Sequence, residues 1–289
     1  MKEKRWESSN QATRDYFDSM RLEMRHIDGK RPDTSFSLYG KIFQTPIMAS
    51  FAPCYSAACE NEMMKLAKGA ASAGAVIWTE VEDKEISSLL TASVDNNIKI
   101  VKPYADNKLI LEKIAYAEKC GALGVGIDIG CAFDNDGEYR NLLGYDMAPK
   151  SMEEIREFAS ASSLPFVVKG ILSEKDAYKS LKAGAKGIVV CDYHGIVDYA
   201  VSPLVVLPDI LKTVGGEIPV FVDCGISSGI DAFKILALGA AAVLTDFFSG
   251  REKENVFEMI LQMNNQLKGV MAKTGCSDLA HIDFSVISL

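Results

Sequence analysis

The sequence predicts an α/β fold in which helices cover a parallel sheet. Short apolar runs rich in Val and Ile alternate along the chain with longer segments of helical periodicity. The short runs are apolar on both faces, which is typical of strands buried in a parallel sheet. Eight evenly spaced strand–helix units favour a (β/α)₈ TIM barrel, for which roughly 250 residues is usual. An open doubly wound sheet is the alternative, but it does not require eight such units.

Residues 1–45 precede the first barrel strand. They are expected to form a helix and then a short hairpin at "TSFSLYGKIF" that closes the lower end of the barrel. Residues 46–289 are expected to form a single barrel domain with a C-terminal tail. We therefore describe residues 1–45 as an N-terminal extension of that barrel.

The candidate strands follow in order, and helical segments connect them. They cover 46–51, 75–80, 98–104, 123–130, 165–171, 187–193, 219–225 and 242–248. Several helical segments end in Gly directly before the next strand, as a C-capping residue in the left-handed conformation would. A long final helix is predicted near 253–273, and the tail after it has strand-like alternation and is expected to pack on the outside.

Composition limits the partners and the compartment. The formal net charge of −8 argues against a broad nucleic-acid surface. The N-terminus has no apolar signal region, and no apolar run reaches the ~20 residues that span a bilayer. Seven cysteines without a secretion signal indicate reduced thiols. We expect a cytoplasmic protein that acts on a small molecule without a nucleic-acid or membrane partner, and homo-oligomer formation stays open.

Polar residues collect at the strand ends, where a barrel of this class carries its chemistry. They are Lys102, Tyr104, Asp128, Lys169, Asp192, Tyr193 and His194. Lys169 lies within the apolar run "LPFVVKGIL", where an unpaired charge would be costly to bury. It either pairs with Asp128 or Asp192, or stabilises an anion that develops on a bound ligand.

The segment "DCGISSG" (223–229) opens a helix after the seventh strand. Backbone N–H groups at such a helix start bind phosphate, and this fold often places a phosphate near strands seven and eight. Because Ser and Gly also begin ordinary helices, the segment is a moderate indication of a phosphate site.

Four cysteines fall at or just beyond strand ends, where their side chains could converge. They are Cys54, Cys131, Cys191 and Cys224. Thiolates gathered at the mouth could bind a metal or a cluster, or one could be reactive. However, no Cys-x-x-Cys spacing is present, and Cys is often a small buried residue. No metal site is predicted.

Three stretches carry a family resemblance: "LPFVVKGILSEKDAYKSLKAGAKGIVV", "PVFVDCGISSGIDAFKILALGAAAV" and "TGCSDL". They resemble the second half of the FMN-dependent α-hydroxy-acid oxidases, the family of glycolate oxidase, lactate oxidase and flavocytochrome b2. "DTSFSLYGKIFQTPIMAS" and "GVGIDIG" are similar to its first half in weaker form. The resemblance extends over nearly the whole chain from about residue 15, and it implies an FMN-dependent oxidoreductase.

The resemblance also implies roles for individual residues. Lys169 matches the family Lys at flavin N1, which stabilises reduced flavin. Asp128 matches the carboxylate that partners the catalytic His, and Tyr104 matches an active-site Tyr. Asp223 and Gly225 match the ribityl and phosphate loop. The remaining expected cofactor contacts are Ser50, Thr79, Lys102, Ser227 and Gly229.

One departure concerns the substrate. The family follows strand six with Ser-Asn-His-Gly-Gly-Arg, in which His takes the proton and Arg clamps the substrate carboxylate. An ungapped match puts Tyr193 at the His position and Ile196 at the Arg position, whereas a one-residue insertion aligns His194 with the His. Either alignment removes the bidentate clamp. The sequence therefore predicts a substrate other than an ordinary 2-hydroxy acid, and it leaves open whether His194 or Tyr193 transfers the proton.

Other departures concern the cofactor. Asp246-Phe247 replaces the family Gly-Arg after strand eight, and Ser227-Ser228 replaces an Arg-Arg pair. Lys102 and Gly126 stand where the family has Gln and Thr at the flavin pyrimidine edge. A second function therefore stays open, that of a barrel without flavin redox chemistry that serves as a ligand-binding or non-redox protein.

Overall fold

The computed structural model describes residues 2–51, 57–80, 94–192, 200–246 and 255–288. The chain begins with helix α1 (Lys2–Ser19) and a short strand β1 (Arg21–Leu22). A hairpin of β2 (Phe36–Leu38) and β3 (Lys41–Phe43) follows, with antiparallel pairing. These elements precede the barrel.

Eight parallel strands form a closed barrel, as the sequence predicted. They are β4 (Ile47–Phe51), β5 (Ile77–Thr79), β6 (Asn97–Val101), β7 (Gly124–Asp128), β10 (Phe166–Ile171), β11 (Gly187–Cys191), β12 (Val220–Asp223) and β13 (Ala242–Asp246). A small ribbon of β8 (Asn141–Leu142) and β9 (Tyr145–Asp146) lies in the loop after β7. Pairing of β13 with β4 closes the barrel. Most predicted strands run past the observed ends, because the residues that follow each strand belong to the loops of the mouth.

Helices connect the strands. The remaining described α-helices are α2 (Ala57–Ser72), α3 (Asn107–Lys119), α4 (Met152–Ser160), α5 (Glu174–Lys182), α6 (Pro203–Val214), α7 (Gly229–Ala237) and α8 (Val256–Thr274). The four glycines that end predicted helical segments directly before a strand have positive φ, as the C-capping pattern predicted: Gly74, Gly121, Gly184 and Gly239. No helix among the described residues is both long and apolar enough to cross a bilayer.

Apolar side chains fill the barrel interior. Its buried cluster includes Met48, Trp78, Ile98, Ile100, Val167, Val189, Phe221 and Leu244. Trp78 and Phe221 meet edge to face, with ring centroids 5.4 Å apart. Phe36, Leu38 and Phe43 of the hairpin belong to the same cluster, and the Tyr39 hydroxyl donates to the Lys186 carbonyl at 3.0 Å. The hairpin therefore covers the end of the barrel at which the strands begin.

The C-terminal tail differs from the expected extended strand. Asp278 and Asp283 cap two 3₁₀ turns, Leu279–His281 and Phe284–Val286. Only β14 (Ile287–Ser288) is extended, and it pairs antiparallel with β1. The alternating pattern was misleading because aspartate side chains can accept from backbone N–H groups two residues on, which favours turns.

Candidate active site

A layer of polar side chains occupies the mouth of the barrel. Side chains alternate along a strand, so the inward positions continue two residues beyond the last apolar interior residue of each strand. These positions hold Ser50, Glu80, Lys102, Asp128, Lys169, Cys191, Asp223 and Asp246. Each of the eight strands thus supplies one member of this mouth layer, within its last three residues or one residue beyond its end.

Five members of the mouth layer form a continuous chain of ion pairs. Lys102 Nζ lies 2.9 Å from Asp128 Oδ2 and 2.5 Å from Glu80 Oε2. Lys169 Nζ lies 2.8 Å from Glu80 Oε1 and 3.1 Å from Asp223 Oδ2. The order Asp128, Lys102, Glu80, Lys169, Asp223 defines what we call the charged chain.

Burial and mutual contact set the ionisation of the charged chain. Burial alone would lower the pKa values of Lys102 and Lys169, but the neighbouring carboxylates outweigh it and raise both well above the usual value. Burial opposes ionisation of Glu80, yet the two ammonium groups hold its pKa below the usual range. Both lysines and Glu80 are therefore charged at neutral pH.

Asp128 differs from Glu80 although both are buried. Its side chain is fully excluded from solvent, and this burial raises its pKa because Lys102 offsets only part of the cost. Its Oδ1 atom accepts from the Gly130 N–H at 3.1 Å. A carboxyl group with a raised pKa at the mouth is suited to hold or exchange a proton.

The partners of Lys169 differ from those that the sequence suggested. The structure pairs it with Glu80 and Asp223, whereas Asp128 pairs with Lys102. Glu80 was not predicted from the sequence as a site residue. The sequence does indicate it, because Glu80 is a charged residue two positions after the inward-facing Trp78 in "AVIWTE" and therefore faces the same side of the strand.

Thr79, a predicted cofactor contact, directs its side chain away from the mouth layer. Its hydroxyl donates to Asn97 Oδ1 at 2.9 Å. Because neighbouring residues of a strand face opposite sides, Thr79 faces the helices while Glu80 faces the mouth. Ser50 lies opposite Asp246 in the pairing of β4 with β13.

The loop after β12 begins helix α7. Gly225 has a φ of 51° and is exposed. Ser227 donates from its N–H and its hydroxyl to Asp231 Oδ2, at 3.1 and 3.0 Å, and Arg14 of α1 pairs with the same carboxylate at 2.8 Å. For the N–H groups of Gly225 and Ile226, no hydrogen-bond partner is found among the described residues. The N–H groups of residues 225 and 226 are thus among the open donors of this loop.

Gly229 was also predicted to contact the cofactor, and packing accounts for this residue. A Cβ atom at this position would lie 2.0 Å from the Met263 carbonyl oxygen of α8. The Gly229 N–H is bonded to Gln266 Oε1 at 2.9 Å. The glycine therefore permits close approach of α7 and α8, and its N–H group is already paired.

Tyr104 lies beside the mouth, three residues beyond β6. It is buried and meets Tyr145 edge to face, with centroids 5.5 Å apart. Tyr104 also forms an isolated bridge with Met147, which holds the β8–β9 loop against the end of β6.

Several predicted residues lie outside the described residues. They are Tyr193, His194, Ile196, Cys54 and Phe247.

Among the described cysteines, burial raises the pKa values of Cys131, Cys191 and Cys224, which keeps these thiols protonated. No cluster of metal-ligating side chains is found in the described part of the chain.

Comparison with known proteins gives consistent relatives. A family described as FMN-dependent dehydrogenase matches residues 2–152 and 134–289. L-lactate oxidase of Lactobacillus jensenii is 26% identical over 330 residues, covering 97% of this chain and 78% of that protein. A peroxisomal (S)-2-hydroxyacid oxidase of Arabidopsis thaliana is 36% identical over 138 residues, 46% of this chain and 38% of its own length. A mandelate oxidase structure has a TM-score of 0.81 at 25% identity, covering 95% of this chain and 88% of that chain.

Proposed function

Because the chain belongs to the family of FMN-dependent dehydrogenases, we propose that its barrel mouth oxidises a small molecule other than an ordinary 2-hydroxy acid. The chain is an FMN-dependent oxidoreductase, and FMN is its cofactor. The observation that carries the substrate proposal is the absence of Arg from residues 192–200, "DYHGIVDYA", together with the ion pairs that occupy Lys102 and Lys169.

The mouth offers groups that fit the two ends of FMN. Lys169 supplies a buried cation for the ring system, which gains negative charge on reduction. The unpaired N–H groups of Gly225 and Ile226 and the start of α7 suit the phosphate. A helix N-terminus contributes up to ~2 kcal/mol toward an anion. Asp246 at the end of β13 opposes a phosphate, so we expect weaker FMN binding than an arginine at this end would give.

The chain's own groups have separate tasks in this proposal. Bound FMN would supply the acceptor for the two electrons that the substrate loses. Lys169 holds positive charge against the cofactor, and Asp128 stabilises the protonated form of the residue that takes the substrate proton. His194 is the proposed proton acceptor, with Tyr193 as its rival. A pH profile of His194→Gln against that of Tyr193→Phe distinguishes the two, because only loss of the acceptor removes the ionisation.

In this proposal the mouth lacks the arginine clamp with which the family recognises a substrate carboxylate. Each charge-assisted hydrogen bond from an arginine clamp contributes roughly 1.5–3 kcal/mol, which is more than tenfold in affinity. Lys102 is an unsuitable substitute, because its ammonium group is already shared between Glu80 and Asp128. Arg140 lies in the loop after β7, where its backbone N–H donates to the Ala132 carbonyl at 3.0 Å, and it is the described arginine to test.

A spectrum and an anaerobic reduction assay test the proposal. The purified protein should show flavin absorption bands, and millimolar lactate or glycolate should reduce the flavin only slowly. Rapid reduction by either acid would overturn the substrate proposal. In that case Arg140→Met and Lys102→Met, measured side by side, identify the cation that binds the carboxylate. A colourless protein that takes up no added FMN would instead favour a ligand-binding barrel.

A further inference from the structure

Glu80 holds the centre of the charged chain, and the proposed substrate chemistry gives it no task. Each of its carboxylate oxygens contacts a different ammonium group, Lys169 at 2.8 Å and Lys102 at 2.5 Å. β5, which carries Glu80, and β10, which carries Lys169, are separated in the barrel by β6 and β7. Glu80 therefore reaches across the mouth rather than along one strand pair.

The charge of Glu80 determines the net charge of the charged chain. Ionised Asp128, Lys102, Lys169 and Asp223 would carry no net charge together, and Glu80 adds one negative charge to them. The residue is only 7% exposed. Charges in such surroundings interact several times more strongly than in bulk water. A single carboxylate thus offsets much of the positive charge that the two lysines offer to a ligand.

We propose that Glu80 is a positioning residue that sets the reduction potential of FMN, because its carboxylate holds Lys169 and Lys102 and offsets their charge. The inference rests on the proposed contact between Lys169 and FMN, and it is independent of the substrate. Because Glu80 adds a negative charge, the mouth favours the electron-rich cofactor less than it would without this carboxylate. Removing the carboxylate charge should raise the potential, and removing a lysine should lower it.

Glu80→Gln tests this directly, because glutamine keeps the size and one carbonyl oxygen but loses the charge. We expect a shift of at least tenfold in the two-electron equilibrium toward reduced FMN, which corresponds to about 30 mV, and tighter sulfite binding. Glu80→Asp keeps the charge and should remain closer to the wild-type potential. The matched control is Asp95→Asn, which removes one carboxylate from an exposed pair with Lys41 at the other end of the barrel. The control should change neither measurement.

Lys102→Met supplies the opposite change. Its potential should fall, and the double variant with Glu80→Gln should return toward the wild type, because the two changes alter the same local charge with opposite signs. An FMN-loaded Glu80→Gln protein with an unchanged or lower potential overturns the inference. If that variant fails to fold or to hold FMN, Lys102→Met decides: a lower potential supports the inference, and an unchanged or higher one overturns it. Wild-type protein that takes up no FMN would overturn the proposed cofactor contact as well, so the two failures are distinguishable.

Discussion

The same eight strands build two chemically opposite regions inside the barrel. In the lower region Trp78 and Phe221 pack with other buried apolar side chains. Two residues further along the strands, the inward positions hold Glu80 and Asp223 instead. Both regions lie on the inward face, so strand geometry does not distinguish them. The difference shows that residue identity alone changes a packed core into a charged mouth.

The two regions also differ in what they contribute. Burial of apolar side chains stabilises the barrel in proportion to the area removed from water. Buried ion pairs give little net stability, since desolvation of the charges offsets most of their attraction. We therefore assign stability to the lower region, and we propose that the mouth controls the charge on bound FMN.

The largest effect should come from Trp78→Ala in the lower region. Truncation of this fully packed side chain should lower the free energy of unfolding by about 3–5 kcal/mol, measured by urea denaturation. Tyr178→Ala removes an aromatic ring that is 54% exposed and should cost under about 0.5 kcal/mol. Equal losses for the two variants would contradict a packed interior.

A smaller effect, confined to the mouth, should come from Lys169→Met. Loss of its charge should shift the FMN equilibrium away from the reduced form by about tenfold, roughly 1.4 kcal/mol, and should weaken sulfite binding. Potentiometry measures both this variant and its control, Lys234→Met. Lys234 is also a buried lysine, but it donates to the Phe17 carbonyl of α1 outside the mouth. An unchanged potential in Lys169→Met would remove Lys169 from the mechanism.

The smallest effect should come from Tyr39→Phe at the closed end. Loss of the hydrogen bond to the Lys186 carbonyl should lower the free energy of unfolding by about 0.5–1.5 kcal/mol. The potential and the FMN dissociation constant should stay as in the wild type, because the hydroxyl lies at the opposite end from the mouth. A shifted potential would show that the two regions are coupled. Tyr178→Phe, at an exposed ring, is the control.

The sequence predicted the barrel well because local signals agreed along the chain. Apolar strands, capping glycines and even spacing all report on neighbouring residues, so they need no knowledge of distant contacts. The inward-facing positions could also be predicted from the sequence, because the residue two positions after an interior residue such as Trp78 faces the same side, and this residue is Glu80.

Which charged side chains form ion pairs inside the mouth could not be predicted from local sequence patterns. Whether Lys169 meets Asp128, Asp192 or Glu80 depends on the stagger of the strands around the closed barrel. The loop after β12 presents the same difficulty, because Arg14 of α1 lies 217 residues before the Asp231 that it pairs with. Sequence spacing carries no signal for contacts of such long range.

The charged chain has a consequence for the lifetime of the folded barrel. Glu80 and Lys169 are 89 residues apart in sequence, so their ion pair forms only after a long segment has closed into the barrel. Contacts between distant residues form late, because the entropy of loop closure opposes them until the rest of the sheet is in place. Interactions that are absent from the folding transition state slow unfolding without speeding folding. We therefore expect that removing one member of the charged chain, which would leave its partner charge buried and unpaired, shortens the time for which the closed barrel persists.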